Sequence, residues 1–324
     1  MLLRTTAPPW QDQSLAKEVA VAIHTGANNP SGPGGSVAGV DSYHGGPAFH
    51  SGTWTGGDGG GVGGAGDNAY GGIVNTYMTP GKLIDTVTAT GGRGANNPGG
   101  GALGAGGNAS SYAKSYNASG DAYAYASATG GLSGSSYSNP STTPVPALTG
   151  GVASGTYAVA SASTGHYAYA KVLQTGGMGG AAIGYHTGGA GANSTLTDAV
   201  SASAQAGRIR LQQTAVGGAG GTNLGGPAGG AGGTGTSSLT FTDAAAIPVI
   251  AGSAAVGGAG GLAARAGRHR RRSMSPAPTM SAGPRRRLVG WADAAATRPA
   301  SDPAAPAAAW PRTQRRATTP GSSP

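Results

Sequence analysis

Small or apolar residues alternate with polar ones over four stretches of the chain. These are "SYAKSYNASGDAYAYASATGG" (111–131), "GTYAVASASTGHYAYAKVLQTGG" (155–177), "STLTDAVSASAQAGRIRLQQTAVGG" (194–218) and "SSLTFTDAAAIPVIAGSAAVGG" (237–258). A period of two places successive side chains on opposite faces of a strand. In "YAYASA", Ala122, Ala124 and Ala126 share one face while Tyr123 and Tyr125 share the other. In "HYAYAKV", Tyr167, Tyr169 and Lys171 oppose Ala168, Ala170 and Val172, and in "RIRLQ" Ile209 and Leu211 oppose Arg208, Arg210 and Gln212. An alanine face lets neighbouring layers approach closely, and a tyrosine face can stay in water while adding cross-strand contacts. Alanine otherwise favours helix, so a helix through "AVSASAQAGRIRLQ" is the local competitor, weakened by its serines and glycine.

Nearer the start the pattern is less regular. "SLAKEVAVAIHTG" reads either as a short helix capped by Ser14 or as a strand through Val19, Val21 and Ile23. "GGIVNTYMTPGKLIDTVTATGG" predicts two strands, 73–78 and 83–90, joined through "TPGK". "NPSTTPVPALTG" (139–150) is proline-rich and reads as a linker or extended edge.

Each alternating stretch ends in a glycine cluster. The clusters begin at Gly91, Gly130, Gly176, Gly217 and Gly257, so the intervals are 39, 46, 41 and 40 residues. Units that cannot bury a face alone, joined at such a period, predict a stack in which each layer covers the next. The expected fold is all-β: an elongated, glycine-rich, β-solenoid-like array of repeats with a disordered C-terminal tail. The alternatives are a bundle of glycine-directed polyproline II helices and a largely disordered low-complexity chain. Three regions follow: an irregular glycine-rich part with short β segments (1–90), the repeats (91–262) and the tail (263–324).

Composition sharpens this picture. Glycine supplies 65 of 324 residues, about three times its ordinary share, and only 2 Phe, 5 Met and 4 Trp are available to fill an interior. A thin structure held by main-chain ladders is therefore expected instead of a thick core. Charge is partitioned: residues 1–262 hold 8 Lys/Arg and 9 Asp/Glu, whereas 263–324 hold 12 Arg and 2 Asp. The absence of cysteine excludes disulfides, thiolate metal sites and thiol nucleophiles.

No catalytic constellation is visible, and the expectation is a protein that is not an enzyme and uses no cofactor or metal. Among the scattered histidines only His44 and His50 lie close in sequence, with Asp41 near, and their loop lacks preorganised ligand spacing. "GGDGGGVGGAGD" (56–67) can be forced onto a dinucleotide-type glycine pattern, yet no amphipathic helix follows it. "GGAGGTNLGGPAGGAGGTG" lacks the aspartates of calcium-binding β-roll turns, and Asp58 and Asp67 offer only weak calcium ligands. The start of the chain has no uninterrupted apolar core of a signal peptide, and no run approaches a membrane span.

The Gly/Ala/Ser/Asn units over 91–262 resemble bacterial secreted or surface repeat proteins, including autotransporter passenger regions and adhesins. The resemblance implies a structural or adhesive scaffold, extracellular or at the cell surface; with no signal peptide visible, a cytoplasmic location is the alternative. Its partners would be polysaccharide, a cell surface or other copies of itself, met through Tyr123, Tyr125, Tyr167 and Tyr169. The tail suggests a second role. Arg268, Arg270, Arg271, Arg272, Arg285, Arg286 and Arg287 could neutralise nucleic-acid phosphates without sequence preference. Ala/Arg/Pro-rich text is also what GC-rich DNA yields when read in an unselected frame.

Overall fold

The structure is a computed structural model, and it describes residues 19–44, 48–97, 102–136, 147–183, 186–226, 228–241 and 248–264. The strands of residues 19–129 are β1 (Val19–Thr25), β2 (Val37–His44), β3 (Phe49–Thr55), β4 (Ala69–Tyr77), β5 (Lys82–Thr90), β6 (Ala109–Asn117) and β7 (Asp121–Thr129). Next come β8 (Tyr157–Ala162), β9 (Tyr167–Thr175), β10 (Ala182–Ile183), β11 (Ser194–Thr197) and β12 (Val200–Ala204). The last are β13 (Arg208–Val216), β14 (Asn223–Leu224), β15 (Gly235–Ser238), β16 (Val249–Val256) and β17 (Ala263–Ala264).

The strands assemble into two main sheets. The first runs β1-β3-β5-β7-β9-β13-β16, the second β12-β8-β6-β4-β2, and every pairing is parallel. From β2 to β9 successive strands alternate between the sheets, so β6 turns at residues 118–120 into β7 on the opposite side of the core. Within the first sheet Leu83 pairs with Ala122, Ala122 with Ala168, Ala168 with Ile209 and Ile209 with Val249. Small additional sheets, β10-β14-β17 and β11-β15, extend the same passes.

Alternation decides what lies between the sheets. On β7, Ala122, Ala124, Ala126 and Ala128 are buried while the intervening residues face out, and β9 repeats this with Ala168, Ala170 and Val172. They pack with Ala109, Ala113, Ala158 and Ala160 of the second sheet. Each methyl-sized group buried contributes only about 0.8 kcal/mol, so this part of the core depends on many small increments. Ile209 and Leu211 enlarge it on one side, and Trp54, Ile73 and Val87 on the other. Gly52 and Gly71 make room for Trp54: a Cβ on either would lie inside its indole ring.

Glycine also builds a second kind of cohesion beside the sheets. Gly57 N–H donates to Gly35 C=O, Asp67 to Gly57, Gly92 to Asp67, Gly107 to Gly92 and Gly131 to Gly107. The same zigzag continues through Gly151, Gly177, Ala192, Gly218 and Gly233 to Gly258, at 2.7–2.9 Å throughout. A parallel line runs through Gly180, Gly189, Gly221, Gly230 and Gly261. A Cβ on Gly131 would strike the carbonyl oxygen of Gly92, and one on Gly218 that of Gly177, so the approach is open only to glycine there. Asparagine side chains stitch the margin: Asn68 Oδ1 accepts from Asn108 N–H, and Asn108 Oδ1 from Val152 N–H, both at 2.8 Å.

Several expectations require correction. The elongated solenoid gives way to a compact all-β domain of two parallel sheets around a shared core. Seven strands at ~4.8 Å spacing span about 29 Å, close to the ~30 Å length of a nine-residue strand, so the first sheet is roughly square. The largely disordered, low-complexity alternative fails for the described residues, whose main-chain groups are joined by long-range hydrogen bonds. The interior is also thicker than the composition implies, because Trp54, Ile73, Leu83 and Leu211 are all fully buried. With the fold, the structural or adhesive scaffold reading is corrected, since the chain forms a well-packed domain with buried polar networks. The tail's arginines, Arg268 to Arg287, lie outside the described residues, and the nucleic-acid reading built on them is replaced by one built on the folded domain.

The helix considered for "AVSASAQAGRIRLQ" is instead β12 and β13, linked through Ala206 at φ 52°. "VAVAIHT" is β1, and β4 and β5 occupy the two strand positions read around "TPGK". Part of the proline-rich segment falls outside the described residues. Among the described residues no helix is long and apolar enough to cross a membrane.

Candidate functional site

The outer face of the first sheet collects the side chains with most chemistry. Parallel in-register pairing sets them in rows across the strands. One row reads Ile84, Tyr123, Tyr169, Arg210 and Ile250; the next reads Thr86, Tyr125, Lys171 and Gln212. At the head of the strands Lys82 pairs with Asp121, and Tyr167 with Arg208. All four tyrosines named from the sequence are thereby brought together on the neighbouring strands β7 and β9.

Their rings pack mainly edge to face. Tyr125 and Tyr169 have centroids 5.3 Å apart at 86°, and Tyr123 and Tyr167 are 5.6 Å apart at 67°. This geometry sets the positive edge of one ring on the negative face of another. Cations cap the cluster: Arg210 Cζ stands 4.9 Å from the centroid of Tyr169, and Lys82 Nζ 5.5 Å from that of Tyr123. The Tyr169 hydroxyl donates to Gln212 Oε1. Arg210 Nε is buried and has no hydrogen-bond partner among the described residues. Asp121 Oδ1 accepts from Tyr167 N–H at 2.9 Å and lies 3.3 Å from His166 Nδ1.

Crowding shifts the phenols. Burial, reinforced by the neighbouring tyrosines, pushes Tyr125 up to about 12, with Arg210 pulling weakly the other way. Burial also raises Tyr123, helped by Asp121, and raises Tyr169 against the pull of Arg210. All three are therefore neutral donors at ordinary pH. Beside them lies an open groove of about 450 Å³ lined by Thr86, Tyr125, Ser127, Tyr169, Lys171 and Leu173.

A second polar cluster is sealed inside. Asn75 Nδ2 lies 2.7 Å from His50 Nδ1 and donates to Asp85 Oδ1 at 2.9 Å. The Ser115 hydroxyl contacts Asp85 Oδ2 and lies 2.9 Å from Tyr123 C=O. The His50 and Asp85 side chains are fully buried and 3.2 Å apart, so the cluster meets no solute without the domain opening. Buried polar groups of this kind cost stability unless partnered, and these are largely partnered by one another.

The loop reading of His44, His50 and Asp41 as ligands separates in space: His44 is exposed, His50 sits in the sealed cluster and Asp41 meets His24 at 3.3 Å. No group of three metal-binding side chains occurs among the described residues. Asp58 and Asp67 accept hydrogen bonds instead, from Arg93 N–H and from the Ser36 hydroxyl respectively.

The sequence reading names the four tyrosines without Lys82, Arg210 and Gln212, which the structure sets beside them. The signal was present in the glycine intervals: adding the 41 residues from Gly176 to Gly217 to Tyr169 gives Arg210. Comparison with protein-family models, with curated proteins and with solved structures gives no match.

Proposed function

We propose that this protein is a carbohydrate-binding domain whose outer tyrosine face holds an acidic polysaccharide, with no bond made or broken. The observation that carries this reading is the groove lined by the packed rings of Tyr125 and Tyr169, with Lys171 on its wall and Arg210 laid over Tyr169. Sugar rings present apolar C–H faces that pack on aromatic rings, and hydroxyl groups that match neutral donors and acceptors. Here Thr86, Ser127 and Gln212 supply the latter beside the rings. Charge selects the class of polymer. Lys82, Lys171, Arg208 and Arg210 share the face with Asp121, whose Oδ1 is taken by a main-chain N–H. A chain bearing carboxylates or sulfates therefore finds the exposed cations of Lys82, Lys171 and Arg208 spaced along its path.

Affinity electrophoresis of the full chain through polygalacturonate and through neutral dextran tests this. Retardation by the acidic polymer, weakened by salt, is expected. Tyr169→Ala and Lys171→Ala should each weaken it roughly fivefold to tenfold, the size of one desolvated cation–π or charge contact. Mobility unchanged by polygalacturonate, or retardation indifferent to Tyr169→Ala, would overturn the reading.

A further inference from the structure

The opposite end of the same sheet face is chemically different. Its last outward row reads Thr25, Thr55, Thr90, Thr129 and Thr175 across β1, β3, β5, β7 and β9, each threonine paired in register with the next. Two residues back along the strands the row reads Ile23, Thr53, Thr88 and Ser127. A third reads Val21, Ser51 and Thr86 before reaching Tyr125. In the first two rows no residue is charged on any strand, and Val216 and Val256, then Leu173, Thr214 and Ala254, complete them. The threonines of the last row are partly or fully exposed, and among the described residues no other strand pairs or packs over them.

We propose that this threonine lattice binds ice. Hydroxyls and methyls repeat in two directions, at ~4.8 Å between strands and ~6.6 Å between alternate residues of one strand. The first of these repeats lies close to the spacing of water oxygens along one axis of the prism face of hexagonal ice. Most ligands have no use for identical groups repeated across five strands; a crystal face does. β-Branched side chains are restricted at χ1, so ordering the groups on binding costs less entropy than ordering long, flexible side chains. The glycine ladders and the alanine core hold the strands beneath them in register. Waters held between methyls and hydroxyls can then join a growing ice front, whereas charged side chains would orient water against it. The tyrosine and cation rows mark where the lattice stops.

The test is slow growth of an ice crystal from a solution of the full chain, with the protein in the ice and in the liquid measured and crystal shape observed. Enrichment in the ice, faceted crystals and a gap between melting and growth temperatures are expected. Thr90→Lys and Thr129→Lys, each checked for an unchanged far-UV spectrum, should abolish the gap, while Tyr169→Ala leaves it intact. Exclusion of the wild-type chain from ice, as for an ordinary protein, overturns the proposal. So does a gap that survives both lysine variants. Loss of polysaccharide retardation in Tyr169→Ala with ice binding retained separates the two functions.

Discussion

Each pass of the chain is held on one side by side chains and on the other chiefly by main chain. Between the sheets, cohesion comes from interdigitated alanines, larger residues such as Trp54 and Leu211, and the cluster around Asp85. In the ladders it comes from glycine amides meeting carbonyls, with no side chain between them from Gly92 through Gly177. The sheet side tolerates some change in volume, because neighbouring side chains can shift. The ladder side does not, since its neighbours are backbone atoms. The contrast also divides the chemistry: apart from Asp67 and Ala192 the main ladder is glycine and offers a ligand few side chains, whereas the outer sheet face carries two different arrays.

Substitution can break this comparison at its sharpest point. Gly131→Val places carbon on the Gly92 carbonyl, and the loss should be ~5 kcal/mol or more, read as a collapsed denaturant midpoint or failure to fold. Trp54→Ala on the sheet side should cost about 3–4 kcal/mol with the fold retained, since a cavity replaces packing while the ladders persist. A Gly131→Val protein as stable as Trp54→Ala would show that the ladders are not the stricter of the two.

Alkali probes the sheet side, since every tyrosine with a raised phenol lies on a strand of the two main sheets. The folded phenol of Tyr125 lies at about 12 against 10.0 for a free tyrosine, so folding favours its neutral form. Its contribution is complete below pH 10 and is lost as pH rises toward 12; Tyr123 and Tyr169 act in the same sense. Denaturant midpoints should be flat to pH 10 and fall above it, in step with phenolate absorbance. In Tyr125→Phe the fall should be smaller. The smallest effect belongs to Gly165→Ala, a glycine in a turn with open space around it and φ of 81°, where a cost of about 1 kcal/mol reflects backbone conformation only.

Much of the sheet was legible along the chain because the relevant signal is local. The alternation in "DAYAYASAT" sends its alanines inward and Tyr123 and Tyr125 outward, as a strand of period two must. The glycine intervals of 39, 46, 41 and 40 residues are the same offsets that pair Leu83 with Ala122, Ala122 with Ala168, Ala168 with Ile209 and Ile209 with Val249. The buried cluster was hidden, because His50, Asn75, Asp85 and Ser115 come from four strands and share no spacing. The square outline was missed for a related reason: a repeat period does not say how many strands there are relative to their length.

Residue order by itself determined which side chains point in, where each pass ends and how far apart paired positions lie, since strand pleat and glycine placement act over a few residues. Tertiary structure alone decided that two sheets close on one core, that Arg210 lies over Tyr169, that five threonines form a row and that Asp85 is sealed among polar partners. These depend on contacts between residues tens of positions apart, which exist only once the passes have stacked.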